Sequence, residues 1–305
     1  MRVGIDLSLA SIYNGGKSFQ KADLIMEYIL NIMEKIDLPT EARDAVTSLY
    51  GRLDPADVDA VKTKFFSPNN IDADVEKLAK KYNVNTFEMW LPLYIAFSER
   101  TLEIYKERGI DTSIFYDTMT DITIWAKVCK RDFGTWGLKE SGWLSIHLRV
   151  LLFRLGRLQF EVIMFNFNSP YTRDGETINP GDPIINIHVP EGDGITDEKR
   201  RDSYKRAAAF FNLKWFTCGS WLLYPEHRNF LPPTSNIIGF MNDFDIIASR
   251  DDNGEGNLWR VFNRRNDGYD PKNLPRDTGL RKAYAEHWEK NGKTGEGTGI
   301  FLYRD

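Results

Sequence analysis

The chain has 305 residues, 42% of them hydrophobic and 13% aromatic, enough for a sizeable core in about two domains and too much for a disordered chain. A net charge of −4 without a clustered basic face makes nucleic acid an unexpected partner. The longest apolar run, Trp90 to Phe97, is far too short to span a bilayer, Asp6 interrupts the only candidate signal segment, and two cysteines (Cys129 and Cys218) suit a reducing cytoplasm.

Phe19, Ala22, Met26, Ile29, Met33 and Ile36 recur at spacings of three and four, which predicts a first helix with one buried face. Pro39-Thr40 starts a second through Leu49, and Asp54-Pro55 opens a third with an N-cap and a proline at the first helical position. Val75, Leu78 and Tyr82 mark a short fourth. A long apolar helix follows from about Thr86 to Arg108, with a kink expected at Pro92. Gly109 to Thr112 reads as a stop and a new cap, and two more helices lie between Phe115 and Val150, broken at Gly134 to Gly137.

The period then changes to two. Leu158, Phe160 and Val162 alternate with Gln159, Glu161 and Ile163, and a second strand is predicted over Ile184 to Val189 after turns at Gly175 and Asn179-Pro180-Gly181. A helix from Asp197, an apolar strand from Trp215 to Leu223 and a helix near Ser235 to Met241 come next. Strands at Ile246–Ala248 and Leu258–Phe262 would flank a hairpin turn over Asp251 to Gly256. A helix around Leu280 to Trp288, a flexible glycine run (Gly292, Gly295, Gly297, Gly299) and a final edge strand, Ile300 to Tyr303, close the chain. The fold class is α+β: an all-helical N-terminal domain over residues 1–110, with a boundary as late as 150, and a mixed α/β domain over 111–305. Trp136, Trp143, Trp215 and Trp221 are expected in the core.

Three segments carry a family resemblance: Leu152 to Glu161, Asn186 to Gly192, and Cys218 to Leu223. They resemble a bacterial acyltransferase family that pairs a helical N-acyltransferase N-terminal domain with a GNAT-like C-terminal domain, and the likeness extends over nearly the whole chain. It implies a GNAT-like fold and acyl transfer from acetyl-CoA or another acyl-CoA to a small-molecule or protein amine. In such domains a glycine loop and the following helix N-terminus hold the CoA pyrophosphate. Here that places the donor on Val189, Glu191, Gly192, Gly194 and Ile195, on the helix start at Thr196 and on Arg200. Val189 stands where the pattern has Gln or Arg, and Glu191, Asp193, Asp197 and Glu198 add negative charge that Lys199, Arg200 and Arg201 offset.

Acylation of an amine needs a base, and His188, on the polar face beside the loop, is the first candidate, with Glu161 second. Glu161 could equally pair with Arg154 or Arg157. Cys218 and Ser220 share a strand face, so a Cys218–His188 thiol mechanism is a further option, and Tyr224 is a candidate general acid. The resemblance implies a histidine between Cys218 and Ser220, where this chain has Gly219. An alternative reading is a catalytically silent binding protein, favoured by Val189, Gly219 and the acidic loop. The four histidines lie far apart, with no HExxH or CxxC pairing, so no metal is expected. Asp251 to Phe262 lacks the acidic twelfth residue of a calcium loop.

Overall fold

The computed structural model describes residues 23–67, 70–263 and 270–304, so Phe19 and Ala22 of the first predicted helix lie outside the described residues. The chain divides into two compact units, Met1–Phe153 and Arg154–Asp305. Residues 111–153 therefore go with the helices.

The first unit contains α1 (residues 23–35), α2 (Thr40–Tyr50), α3 (Pro55–Phe65), α4 (Asp72–Lys81), α5 (Thr86–Glu107), α6 (Thr112–Phe133) and α7 (Ser141–Leu148). Side chains set the starts of α3, α5 and α6. Asp54 accepts from the Ala56 N–H at 2.9 Å, Asp111 from the Ser113 N–H at 2.8 Å, and Asn85 and Glu88 close a reciprocal capping box. Gly134, at φ +77°, ends α6. Helix α5 is buried on every side from Met89 to Ser98 and runs through Pro92 as one continuous element, so the predicted kink does not divide it. One polar cluster ties α6 to α7: Asp121 Oδ2 accepts from the Trp125 and Trp143 indoles at 3.1 Å and lies 3.0 Å from His147 Nε2. Trp143 is half-buried there, positioned by its N–H as much as by its ring.

The second unit contains strands β1 (Leu152–Leu155, its first residues in the boundary region), β2 (Leu158–Met164), β3 (Tyr171–Arg173), β4 (Glu176–Ile178), β5 (Pro183–His188), β6 (Trp215–Ser220), β7 (Asp245–Asp252) and β8 (Thr294–Leu302). Its helices are α8 (Asp197–Phe211), α9 (His227–Phe230), α10 (Asn236–Met241), α11 (Glu255–Phe262) and α12 (Gly279–Glu289). Six strands form one sheet in the order β1-β2-β5-β6-β8-β7, and β3 and β4 form a separate hairpin. The β5–β6 pair is parallel, joined by the α8 crossover, whereas β2–β5, β6–β8 and β7–β8 are antiparallel.

Three sequence expectations change here. Leu258 to Phe262 is helical, because Leu258, Val261 and Phe262 fall at helical spacing and bury together against Tyr284 and Trp288 of α12. The hairpin turn over Asp251 to Gly256 is thus the end of β7 leading into α11. The predicted strand Trp215–Leu223 stops at Ser220, and Trp221–Leu223 form a 3₁₀ turn. The glycine run is neither flexible nor at an edge: β8 lies between β6 and β7, and Gly295, Gly297 and Gly299 share the face against which Tyr224, Leu223 and Phe244 pack. A Cβ on Gly299 would sit 2.7 Å from Phe244 Cβ.

Candidate active site

The sheet register sorts the candidate residues by face. Ile185 pairs with Phe216 and Asn186 with Thr217 across the parallel β5–β6 junction. Side chains alternate along a strand, so His188 shares the face of Asn186, whereas Cys218 and Ser220 share the face of Phe216. That second face is covered by α8: Phe216 stacks on Phe301 at 4.9 Å, and Tyr204 of α8 packs on both rings. Cys218 is 1% exposed, and burial pushes its thiol up to about 12. A buried thiol on the far side of the sheet from His188 cannot form a nucleophile–base pair with it. The Cys218–His188 mechanism is therefore set aside.

Ser220 is used locally, its hydroxyl accepting the Leu222 N–H at 3.2 Å to cap the 3₁₀ turn. The Tyr224 hydroxyl donates to Asp251 Oδ1 at 2.7 Å; burial, together with that carboxylate, raises its pKa and keeps its proton on. Its ring packs on β8 near Gly295, two strands away from β5 in the sheet order. Nothing places Tyr224 as an acid beside His188.

His188 and Glu161 do come together. Gln159 is opposite His188 and Glu161 opposite Asn186 in the β2–β5 ladder, so the four side chains share one face. His188 Nε2 lies 2.8 Å from Glu161 Oε1, and Asn186 Nδ2 donates to the same oxygen at 3.1 Å. The two nitrogens are 3.1 Å apart, both turned to the carboxylate. Both members of the pair are about one-fifth to one-quarter exposed, at 24% and 21%. A carboxylate that fixes one imidazole nitrogen as a donor defines the tautomer and makes Nδ1 the basic nitrogen of the ring. Gln159, beneath the pair, is 1% exposed. Asn186 was missed as a site residue, although its place two residues before His188 on one strand face was a usable signal.

Beyond His188 the chain enters the glycine loop. The β5–β6 ladder stops at Asn186 and Thr217, while β5 continues to His188 and β6 to Ser220. Ligands enter open α/β sheets at such carboxyl ends of parallel strands. Gly192 has φ +140°, open to glycine alone, and a Cβ there would meet nothing within 4 Å. Thr196 caps α8 by accepting the Lys199 N–H at 3.5 Å. Among the described residues, no acceptor engages the backbone N–H groups from Glu191 to Glu198. These donors and the start of α8 form an anion-attracting end.

Part of the acidic charge is already compensated: Asp193 pairs with Lys199 at 2.8 Å and Asp197 with Arg200 and Arg201, which lowers the pKa of both carboxyls. Arg200 itself is unavailable to a phosphate. It is 5% exposed, with Nε on Asp243 at 2.5 Å and Nη2 on Asp197 at 2.8 Å, and a Cβ at Gly239 would lie 3.3 Å from its Nη1. Its assignment to the donor is corrected to that of a buried structural ion pair. Ile195 is buried at 6% and contributes its backbone, not its side chain, to the loop. A groove of about 690 Å³ lies elsewhere, lined by Pro225, Arg228, Phe244 and residues 245–249, and none of the candidate residues borders it.

Family comparison assigns this architecture. Residues 28–150 match the N-acyltransferase N-terminal domain, and residues 152–301 match the GNAT-like C-terminal domain. The chain belongs to this two-domain acyltransferase family. The acyltransferase-family chain is also similar in fold to an acyltransferase solved with decanoyl-CoA and teicoplanin, with a TM-score of 0.72 and 20% identity, covering 91% of this chain and 88% of that one. An acyltransferase variant solved with octanoyl-CoA gives the same values. Another, solved with decanoyl-CoA alone, has a TM-score of 0.71 at 19% identity. No curated protein matches. Among the described residues of this family member, no helix is long and apolar enough to cross a membrane, and no group of three or more His, Cys, Asp and Glu could hold a metal ion.

Proposed function

We propose that the chain transfers an acyl group from acyl-CoA to an amine, with the donor's pyrophosphate on the loop from Pro190 to Thr196 and its thioester at the parted ends of β5 and β6. The observation that carries this reading is the conjunction at one end of β5. The ends of β5 and β6 beyond their shared ladder, a loop with no internal acceptors for its N–H groups, and the His188–Glu161 pair follow one another within a few residues. The amine nitrogen attacks the thioester carbonyl, a C–N bond forms, and the C–S bond breaks. His188 Nδ1 takes the proton that the amine loses, Glu161 stabilises the resulting imidazolium, and the imidazolium passes that proton to the CoA thiolate as it leaves.

The solved relatives carry octanoyl- and decanoyl-CoA, so those donors are to be tested beside acetyl-CoA. The acceptor is a small-molecule or protein amine, and the reaction takes place in the cytoplasm. Isothermal titration of CoA, acetyl-CoA and octanoyl-CoA is the direct test. Binding at about micromolar Kd, weakened by salt and lost in Gly194→Val, is the expected result. A Cβ at Gly194 would crowd Asn236 Nδ2 at 3.1 Å. No binding at millimolar ligand would overturn the reading in favour of a silent binding protein.

A further inference from the structure

We propose that Arg157, on the β1–β2 turn, is a positioning residue for the donor's pyrophosphate: it aims the loop's peptide N–H groups at the phosphates without touching them itself. The inference rests on the acyl-CoA reading above.

The turn is seated on α8. Gly156 has φ +75°, and a Cβ there would lie 2.8 Å from Ser203 Oγ. The Arg157 N–H donates to that same Ser203 oxygen at 2.9 Å, and the Ser203 hydroxyl donates to Lys199 O at 2.8 Å. From this fixed base the guanidinium reaches the glycine loop. Nε donates to Asp193 O at 2.7 Å, and Nη2 donates to Pro190 O at 2.9 Å. One side chain thus pins two carbonyls on either side of Gly192.

Peptide planarity turns this clamp into an aiming device. No peptide bond in the described chain is cis, and in a trans peptide the N–H points opposite to the C=O of the same plane. Drawing the Pro190 and Asp193 carbonyls toward Arg157 sends the Glu191 and Gly194 N–H groups to the opposite side of the loop. Neither N–H has an acceptor among the described residues. The third guanidinium nitrogen, Nη1, is buried with no hydrogen-bond partner, so no carboxylate competes for the clamp. Val189 offers no polar contact to a phosphate, and the charged guanidinium behind the loop supplies both order and positive potential. Arg157 thereby acts from the second strand's turn where the family pattern would place a polar side chain in the loop itself.

The test compares octanoyl-CoA with octanoyl-pantetheine, which lacks the pyrophosphate, by isothermal titration of wild type, Arg157→Met and Arg157→Lys. Both variants should weaken octanoyl-CoA by about tenfold, because lysine keeps the charge but not the two-pronged geometry, and Arg157→Met, which loses the charge, should also flatten the salt dependence. Octanoyl-pantetheine should bind all three proteins within a factor of about two, the discrimination expected of a loss confined to the phosphate contacts. Thermal melting identifies a variant that has failed to fold, in which case the other decides. Unchanged octanoyl-CoA binding, or equal weakening of both ligands, would overturn the role of Arg157. A wild type that binds octanoyl-pantetheine but shows no gain from the nucleotide overturns it as well. A wild type that binds neither ligand removes the acyl-CoA reading itself.

Discussion

A one-residue step along β5 or β6 decides which side of the sheet a side chain serves, and that step separates His188 from Cys218. His188 sits beside Glu161 on an accessible face, whereas Cys218 is enclosed with Phe216 and Tyr204. We predict that iodoacetamide at pH 7.5 labels neither Cys218 nor Cys129, both buried, until the protein is denatured; peptide mass spectrometry would show this. Rapid native labelling of Cys218 would reopen the thiol mechanism. Turnover should fall about a hundredfold or more in His188→Ala, followed as CoA thiol release against a panel of amines. Glu161→Gln should lose less, because the imidazolium loses its anionic neighbour while the amide can still hold the ring by a hydrogen bond. Residue types and alternation made His188 and Glu161 legible in the sequence. Their sharing of Asn186, and the clamp from Arg157, depend on pairing between segments 25 to 36 residues apart, which no local pattern encodes.

Helix starts were the most legible elements, because the cap lies in the sequence next to the helix it begins. Asp54, Asp111, Thr196, Ser235 and Thr278 each accept an N–H from the first turn of their helix. Segment Leu258–Phe262 misled because a five-residue apolar stretch fits both periods, and only its burial against α12 selects the helix. β1 and the three-residue β3 and β4 are too short to show a period at all. The glycines of β8 misled for a different reason: they signal a close approach by other backbone, not freedom. Gly299→Val should cost about 3 kcal/mol or more, since its side chain would overlap Phe244, whereas Gly142→Ala, with open space around its position, should change little. Urea unfolding midpoints of the two variants would check the contrast.

Across the molecule, acid sensitivity should concentrate in the cluster where α9, α11 and α12 meet. His227 is fully buried, hydrogen-bonded through Nε2 to the Tyr284 hydroxyl and ringed by Trp221, Phe230 and Tyr284. Burial lowers its pKa from 6.5 to about 4, so the folded protein holds it neutral while the unfolded chain would protonate it. Between these two values the unfolded state binds more protons, and stability therefore declines as pH falls from 6.5 toward 4, by about 3 kcal/mol. Above 6.5 this group has no influence. Denaturant midpoints at pH 7 and pH 4.5 should differ more for wild type than for His227→Gln; equal differences would show that other groups govern the acid response.

Strand β7 forms one margin of the six-stranded sheet, eight residues long, and among the described residues no other strand claims its outer backbone groups. Such a margin is a template on which a foreign strand can polymerise. Here both ends are guarded. Arg173 and Tyr171 of the small hairpin reach across to Asp245, and Arg250, Asp251 and Asp252 keep charge along the far half. A protein neutralised there, as in Asp251→Ala with Asp252→Ala, would retain its sheet yet lose shelf life. Light scattering during storage should show it gathering into fibrous or amorphous deposits at concentrations the parent tolerates, the result expected if these carboxylates guard the sheet margin.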